Sequence, residues 1–227
     1  MRLCHHFVNE ELECAVCEFG NNFAELSLLC GDASLVEYAL THFKSESRRC
    51  EWLAARMLIR ELRGDSAVVL YTPEGKPLLA DASEHISISH TEGYVAVAFH
   101  KHSDVGVDIE RRGEKILKLR RRFMSVAEED ALDRADEQTS LLLHWSAKEA
   151  FYKIIGNRGG SFSENFLISP FRLSDGGSFH ISYNVQGIEI KRTEVAYVVT
   201  PSYVLTFCVA ENLPKDTSLL SGLQTVK

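Results

Sequence analysis

An excess of positive charge, a long apolar run and a paired cysteine framework are all missing from this chain, and each absence removes a class of function. Its 227 residues carry 25 Lys and Arg against 32 Asp and Glu, a net charge of -7, whereas a general nucleic-acid binder needs clustered positive charge. No apolar stretch reaches membrane-spanning length, and the N-terminus lacks the long hydrophobic segment of a secretion signal. The expectation is a soluble, cytoplasmic protein with neither nucleic acid nor membrane as partner. The six cysteines, at positions 4, 14, 17, 30, 50 and 208, lack the paired spacing of a disulfide framework. Cys14-x-x-Cys17 with His5 and His6 nearby is only half of a zinc motif, so reduced, mostly buried thiols are expected. No Gly-x-Ser-x-Gly elbow is present, and Ser89 and His90, adjacent on a strand, point to opposite faces, which argues against a serine hydrolase.

What is present centres on two segments. Gly106-Val107-Asp108-Ile109-Glu110 reads as a strand, because Val105, Val107 and Ile109 alternate with Gly106, Asp108 and Glu110. Side chains two apart on a strand share a face, so Asp108 and Glu110 project together. Trp145-Ser146-Ala147-Lys148-Glu149-Ala150-Phe151-Tyr152-Lys153 reads as a helix, with Leu142, Trp145 and Tyr152 on one stripe and no proline between Gln138 and Ile155. Glu149 falls on that stripe where an apolar residue is expected, so its carboxylate should point inward and need a partner. Three carboxylates and the two lysines Lys148 and Lys153 result. Carboxylates brought together repel unless a cation lies between them, and oxygen ligands favour a hard ion such as magnesium. Lys153, one turn from Glu149, adds positive charge where a phosphate on that metal would sit. Each half alone is more often a solvated strand face or a surface ion pair; their combination points to metal-assisted chemistry on a phosphate ester.

These two segments resemble the signature motifs of the 4'-phosphopantetheinyl transferases, and the chain length resembles the larger, monomeric surfactin-synthetase-activating type. Further matches, in order, are Arg48-Arg49-x-x-Trp52-Leu53-Ala54-Ala55-Arg56, Gly75-Lys76-Pro77, Ile88-Ser89-His90-Thr91 and Phe123-Met124-Ser125-x-x-Glu128. The resemblance implies an α+β fold of two similar α+β subdomains in a pseudo-two-fold arrangement, with the active site in the cleft between them. It implies transfer of the phosphopantetheine arm of coenzyme A, the co-substrate, to a serine of an apo acyl or peptidyl carrier protein, with release of 3',5'-ADP. Asp108, Glu110 and Glu149 are its expected magnesium ligands and Lys153 its phosphate-side cation. Lys76, Ser89 and His90 match positions that contact the nucleotide, and Arg48, Arg49 and Arg56 are further candidates, though cations on a helix are commonly solvated or paired. Glu128 matches the position proposed as the base for the serine proton; Glu149 or a metal-bound water could serve instead, and Ser125-x-x-Glu128 also reads as a capping box. A catalytically silent coenzyme A or carrier-protein binding module is the alternative, against which the intact Asp108, Glu110, Glu149 and Lys153 argue.

Seven basic residues between Arg111 and Arg122, against the single acidic Glu114, interrupt the overall negative charge. Ile116, Leu119 and Phe123 make one face apolar, while Lys115, Lys118 and Arg122 make either a solvated face or a docking surface for an acidic carrier. Two subdomains, 1-104 and 105-227, are expected, with no low-complexity linker between them. Strands are expected near residues 25–30, 67–71, 85–89, 94–99, 166–173, 179–183, 188–190, 196–199 and 203–209. Helices are expected near residues 45–62, 115–123, 126–135 and 138–155. Gly159-Gly160 reads as a flexible exit from the last helix rather than a phosphate loop.

Overall fold

The computed structural model describes residues 1–156 and 160–210, in two compact units that divide after His102. Both are α+β. In the first, the strands β1 (Arg2–Val8), β2 (Leu12–Glu18), β3 (Val69–Tyr71), β4 (Pro77–Leu79), β5 (His85–Thr91) and β6 (Tyr94–His100) form an antiparallel sheet in the order β1-β2-β6-β5-β4-β3. Helices α1 (Phe23–Cys30), α2 (Ala33–His42) and α3 (Glu46–Arg63) complete it. α3 starts where Ser45 accepts a hydrogen bond from the Arg48 backbone N–H and ends at Gly64. Its face of Cys50, Leu53, Ala54, Leu58 and Ile59 packs with Ile86, Val97 and Phe99 of the sheet in one core.

In the second unit, β7 (Val105–Arg111), β8 (Phe166–Ile168), β9 (Gly176–Val185), β10 (Ile188–Val199) and β11 (Tyr203–Val209) form an antiparallel sheet in the order β7-β11-β10-β9-β8. Three helices accompany it: α4 (Lys115–Leu119), continued by a 3₁₀ turn (Arg120–Arg122), then α5 (Val126–Ala131) and α6 (Glu137–Ile155). α6 is the axis of this unit. Leu141, Leu143, Ala147, Ala150, Phe151 and Ile154 bury it in a core shared with Phe166, Ile181, Val195 and Val204.

Several expected elements differ. Residues 25–30, expected as a strand, lie in α1, because Asn22 caps the helix by accepting from the Glu25 backbone N–H and Gly31, at φ 67°, closes it. The helix expected over 126–135 stops at Ala131, where Leu132 turns extended. The two short strands expected at 188–190 and 196–199 are one strand, carried through an irregularity between Glu189 and Lys191. The strand expected at 166–173 is only three residues long. β1, β2, β4 and α2 were not anticipated. Gly159 lies outside the described residues.

Cys14, Cys17, Cys50 and Cys208 are buried, Cys4 and Cys30 partly so, and all six are free thiols.

Candidate active site

β7 and α6 of the second unit build the site. Gly106, Asp108 and Glu110 alternate along β7 toward the helix, and the contact is close: a Cβ on Gly106 would stand 1.9 Å from the Ala150 carbonyl oxygen. Glycine at this position therefore sets how deeply α6 lies on the strand. Along the same interface Lys153 donates to the Val107 carbonyl at 2.6 Å and to Asp108 Oδ1 at 3.1 Å, while Trp145 Nε1 donates to Glu110 Oε1 at 2.7 Å.

Asp108 is 5% exposed, and Glu110 and Glu149 are half-buried. Burial, then the nearby Asp108 charge, pushes the Glu110 carboxyl up to about 7, against the hydrogen bond from Trp145; Glu149 adds to the push. Glu149 is itself raised, first by burial and then by Asp108, with Lys153 opposing. Asp108 thus lies near enough to raise both glutamates, and Glu149 near enough to raise Glu110. Among the described residues, no three His, Cys, Asp or Glu are already drawn into a cation cage. The donor set nevertheless fits a hard divalent ion: three carboxylates, one ammonium, all-oxygen ligation and a formal charge of about -2.

Two expectations about α6 need correction. On the stripe of Leu142, Trp145, Glu149 and Tyr152 only Leu142 is buried and the other three form the partly exposed margin of a mostly buried helix, so Glu149 faces the β7 carboxylates and not the core. Only one lysine accompanies the carboxylates. Lys148, one position before Glu149, is fully buried: its Nζ donates to Glu128 Oε2 at 2.8 Å and to the carbonyls of Phe123 at 2.6 Å and Phe162 at 3.0 Å. Burial pulls the Lys148 ammonium down, and Glu128 opposes that.

Glu128, also buried, has both oxygens engaged. Oε2 accepts from the Ser125 backbone N–H at 2.8 Å, completing a capping box, and Oε1 accepts from the Ile168 N–H at 2.9 Å. The capping-box reading of this segment is therefore met in full.

The remaining candidates lie in the first unit. Arg48 Nη1 donates to His90 Nε2 at 2.7 Å and to Glu51 Oε2 at 2.9 Å, and the same Glu51 oxygen lies 3.3 Å from His90 Nδ1. Arg48 and His90 are thus brought together, with Glu51, which the sequence reasoning missed, bridging them. Arg49 is turned aside, donating to the Phe43 carbonyl at 2.8 Å. Arg56 is buried, stacked 4.6 Å from the Trp52 ring centroid and donating to the Tyr71 hydroxyl at 2.9 Å. Lys76 sits in the turn between β3 and β4, and its backbone N–H donates to Thr72 Oγ1 at 3.2 Å. Ser89 is buried on β5, beside His90. A Glu three residues after an Arg on one helix was a readable signal for Glu51; the approach of His90 to both was not.

The chain from residue 104 to 208 matches the model of the 4'-phosphopantetheinyl transferase superfamily. It is 29% identical over 176 residues to the 4'-phosphopantetheinyl transferase Sfp of Bacillus subtilis, covering 74% of this chain and 76% of that protein. It is 32% identical over 152 residues to the transferase ffp of the same species, covering 65% of each, and 31% identical over 120 residues to AcpT of Salmonella typhimurium, covering 50% of this chain and 61% of that one. The β7 and α6 site lies inside the region that is similar to the 4'-phosphopantetheinyl transferase superfamily.

Proposed function

We propose that this protein transfers the 4'-phosphopantetheine arm of coenzyme A to a serine hydroxyl of an apo carrier protein and releases 3',5'-ADP. The observation that carries this reading is the set of Asp108, Glu110, Glu149 and Lys153, facing one another across β7 and α6 inside the region that matches the superfamily. The serine oxygen attacks the phosphorus that bears the pantetheine arm; a new P–O bond forms, the pyrophosphate bond breaks, and the bridging oxygen leaves with the nucleotide. Asp108, Glu110 and Glu149 would hold a magnesium ion, whose charge offsets that building on the leaving phosphate. Lys153, anchored on Val107 and Asp108, holds a positive charge beside the reacting phosphate.

The serine proton needs an acceptor. Glu128 is spent on Lys148, Ser125 and Ile168, whereas Glu149 lies half-buried at the site, so Glu149 or a water beside it is the better candidate. Arg48, exposed and hydrogen-bonded to His90, offers guanidinium N–H donors to a phosphate of the nucleotide, with Lys76 and Ser89 as further donors. Arg49 and Arg56 serve the packing of α3 instead.

The partner is an acidic carrier. Lys115, Lys118, Arg121 and Arg122 are exposed and have no ion-pair partner among the described residues, and Leu117 and the 80% exposed Val126 add apolar contact. Arg112 and Arg120 are already committed, to Asp136 and to Glu129 and Glu137. We further propose a monomer acting in the cytoplasm.

The test is intact-protein mass spectrometry of apo carriers incubated with the protein, coenzyme A and magnesium, beside a chelator control. A gain of one phosphopantetheine, lost with chelator and lost in Asp108→Ala, is expected. Coenzyme A binding without any gain would replace this reading with a silent binding module.

A further inference from the structure

Trp145 occupies a position that neither the carboxylate set nor the coenzyme A reading uses. Its indole N–H is spent on Glu110 Oε1 at 2.7 Å, the shortest fixed contact that this half-buried carboxylate makes from α6. The ring is held from two sides, by Phe123 with centroids 5.4 Å apart and by Phe162 at 5.7 Å. Those phenylalanines come from irregular chain, the end of the 3₁₀ turn and the segment after α6, and neither would be placed by helix or sheet geometry alone. Their backbones are nevertheless tied down, because the carbonyls of Phe123 and Phe162 are two of the three acceptors of the buried Lys148 ammonium.

The third acceptor is Glu128, which fastens the same knot to the start of α5 and to β8 through Ser125 and Ile168. A continuous set of contacts therefore runs from a fully enclosed ion pair, through two carbonyls and two rings, to the indole and then to one carboxylate of the site. Buried ion pairs are weak contributors to net stability, since desolvation offsets most of their attraction; what this pair fixes is the placement of the two phenylalanine carbonyls.

We infer that Trp145 is the positioning residue of Glu110, and that the Lys148–Glu128 pair fixes Trp145 through Phe123 and Phe162. The inference rests on the proposed reading of Glu110 as a cation ligand. Outer partners of this kind commonly change metal affinity by about ten- to a hundredfold when removed. Glu128 then acts at a distance and takes no proton from the substrate.

Manganese(II) binding to the whole protein, followed by electron paramagnetic resonance without substrate, tests this. Trp145→Phe keeps an aromatic ring, smaller than the indole, and deletes the N–H; it is expected to weaken manganese about tenfold or more while the protein stays folded, as its melting transition reports. In a Glu110→Gln background the same change should have no further effect, which marks action through Glu110. Glu128→Gln should also weaken manganese, while its kcat for carrier modification recovers at saturating cation. If Trp145→Phe binds manganese as wild type does, or if Glu128→Gln binds normally but loses kcat, the positioning role is overturned and the base role returns for Glu128. If wild-type protein binds no manganese, the metal reading falls, and the inference with it.

Discussion

Glu110 shows what a charged site costs the residue that carries it. Its carboxyl stands near 7 in the folded protein, against an ordinary value of 4.5, because burial and Asp108 disfavour its charge. A carboxyl with a raised folded pKa holds its proton in the folded state when the unfolded chain has released it. Its contribution to stability therefore falls as pH rises from about 4.5 to 7, and above that window the ionised group opposes folding. Glu110→Gln keeps an oxygen for the Trp145 N–H and removes the charge. In the presence of chelator it is expected to stabilise the protein at pH 8 by on the order of 2 kcal/mol and to change little at pH 4. Thermal melts at the two pH values check this, and a variant that melts no higher than wild type at pH 8 would mean that the charge is tolerated without a cation. The same residue illustrates a limit of sequence reading. The alternation along β7 was enough to place Glu110 beside Asp108, but the indole that fixes it lies 35 positions away.

At the scale of elements, the site depends on one strand and one helix meeting at glycine. Gly106 has no room for a methyl group against the Ala150 carbonyl, and Ile154 also lies 3.3 Å from the position that a Cβ would take. Gly106→Ala must push α6 off β7, and with it Lys153 and Glu149. The expected result is a loss of roughly 2–4 kcal/mol in chemical denaturation and a larger loss of transferase activity. Near-wild-type stability and activity would show that the helix can shift without harm. The two elements were themselves legible, as an alternating strand and a proline-free helix. Which face of α6 is inward was not. Successive helical residues point about 100° apart, so Lys148 and Glu149 take opposite fates, and what selects Lys148 for burial is a carboxylate on α5 together with two carbonyls. α1 was misread for a related reason. Its apolar run lacks a clean period, with Leu28 and Leu29 exposed, and the helix is decided by the caps at Asn22 and Gly31.

Across the whole molecule, charge is divided unevenly. A chain of net charge -7 presents a basic run from Lys115 to Arg122, which should attract an acidic partner over a distance comparable with the screening length. Reversing Lys115, Lys118 and Arg122 together is expected to raise KM for the carrier about tenfold or more at low salt and to leave KM for coenzyme A unchanged. The difference should shrink as salt is added, and steady-state kinetics at two ionic strengths reads it. An unaltered KM for the carrier would return these residues to the role of a solvated face. Pairing narrows the surface further than composition could, because Arg112 and Arg120 belong to acidic neighbours on α5, α6 and the loop before α6.

The sequence by itself determined the α+β class, the alternation that puts Asp108 and Glu110 on one face, and the helix that carries Glu149 and Lys153. These follow from local rules, the two-residue period of a strand and the near four-residue period of a helix, which act over a few neighbours. Only the tertiary structure decided that Lys148 is sealed away with Glu128, that Trp145 holds Glu110, and that Glu51 joins Arg48 to His90. Apart from the Arg48–Glu51 contact within α3, those outcomes depend on partners 20 to 42 positions apart, and on the cost of burying a charge, which becomes definite only when packing has fixed what surrounds it.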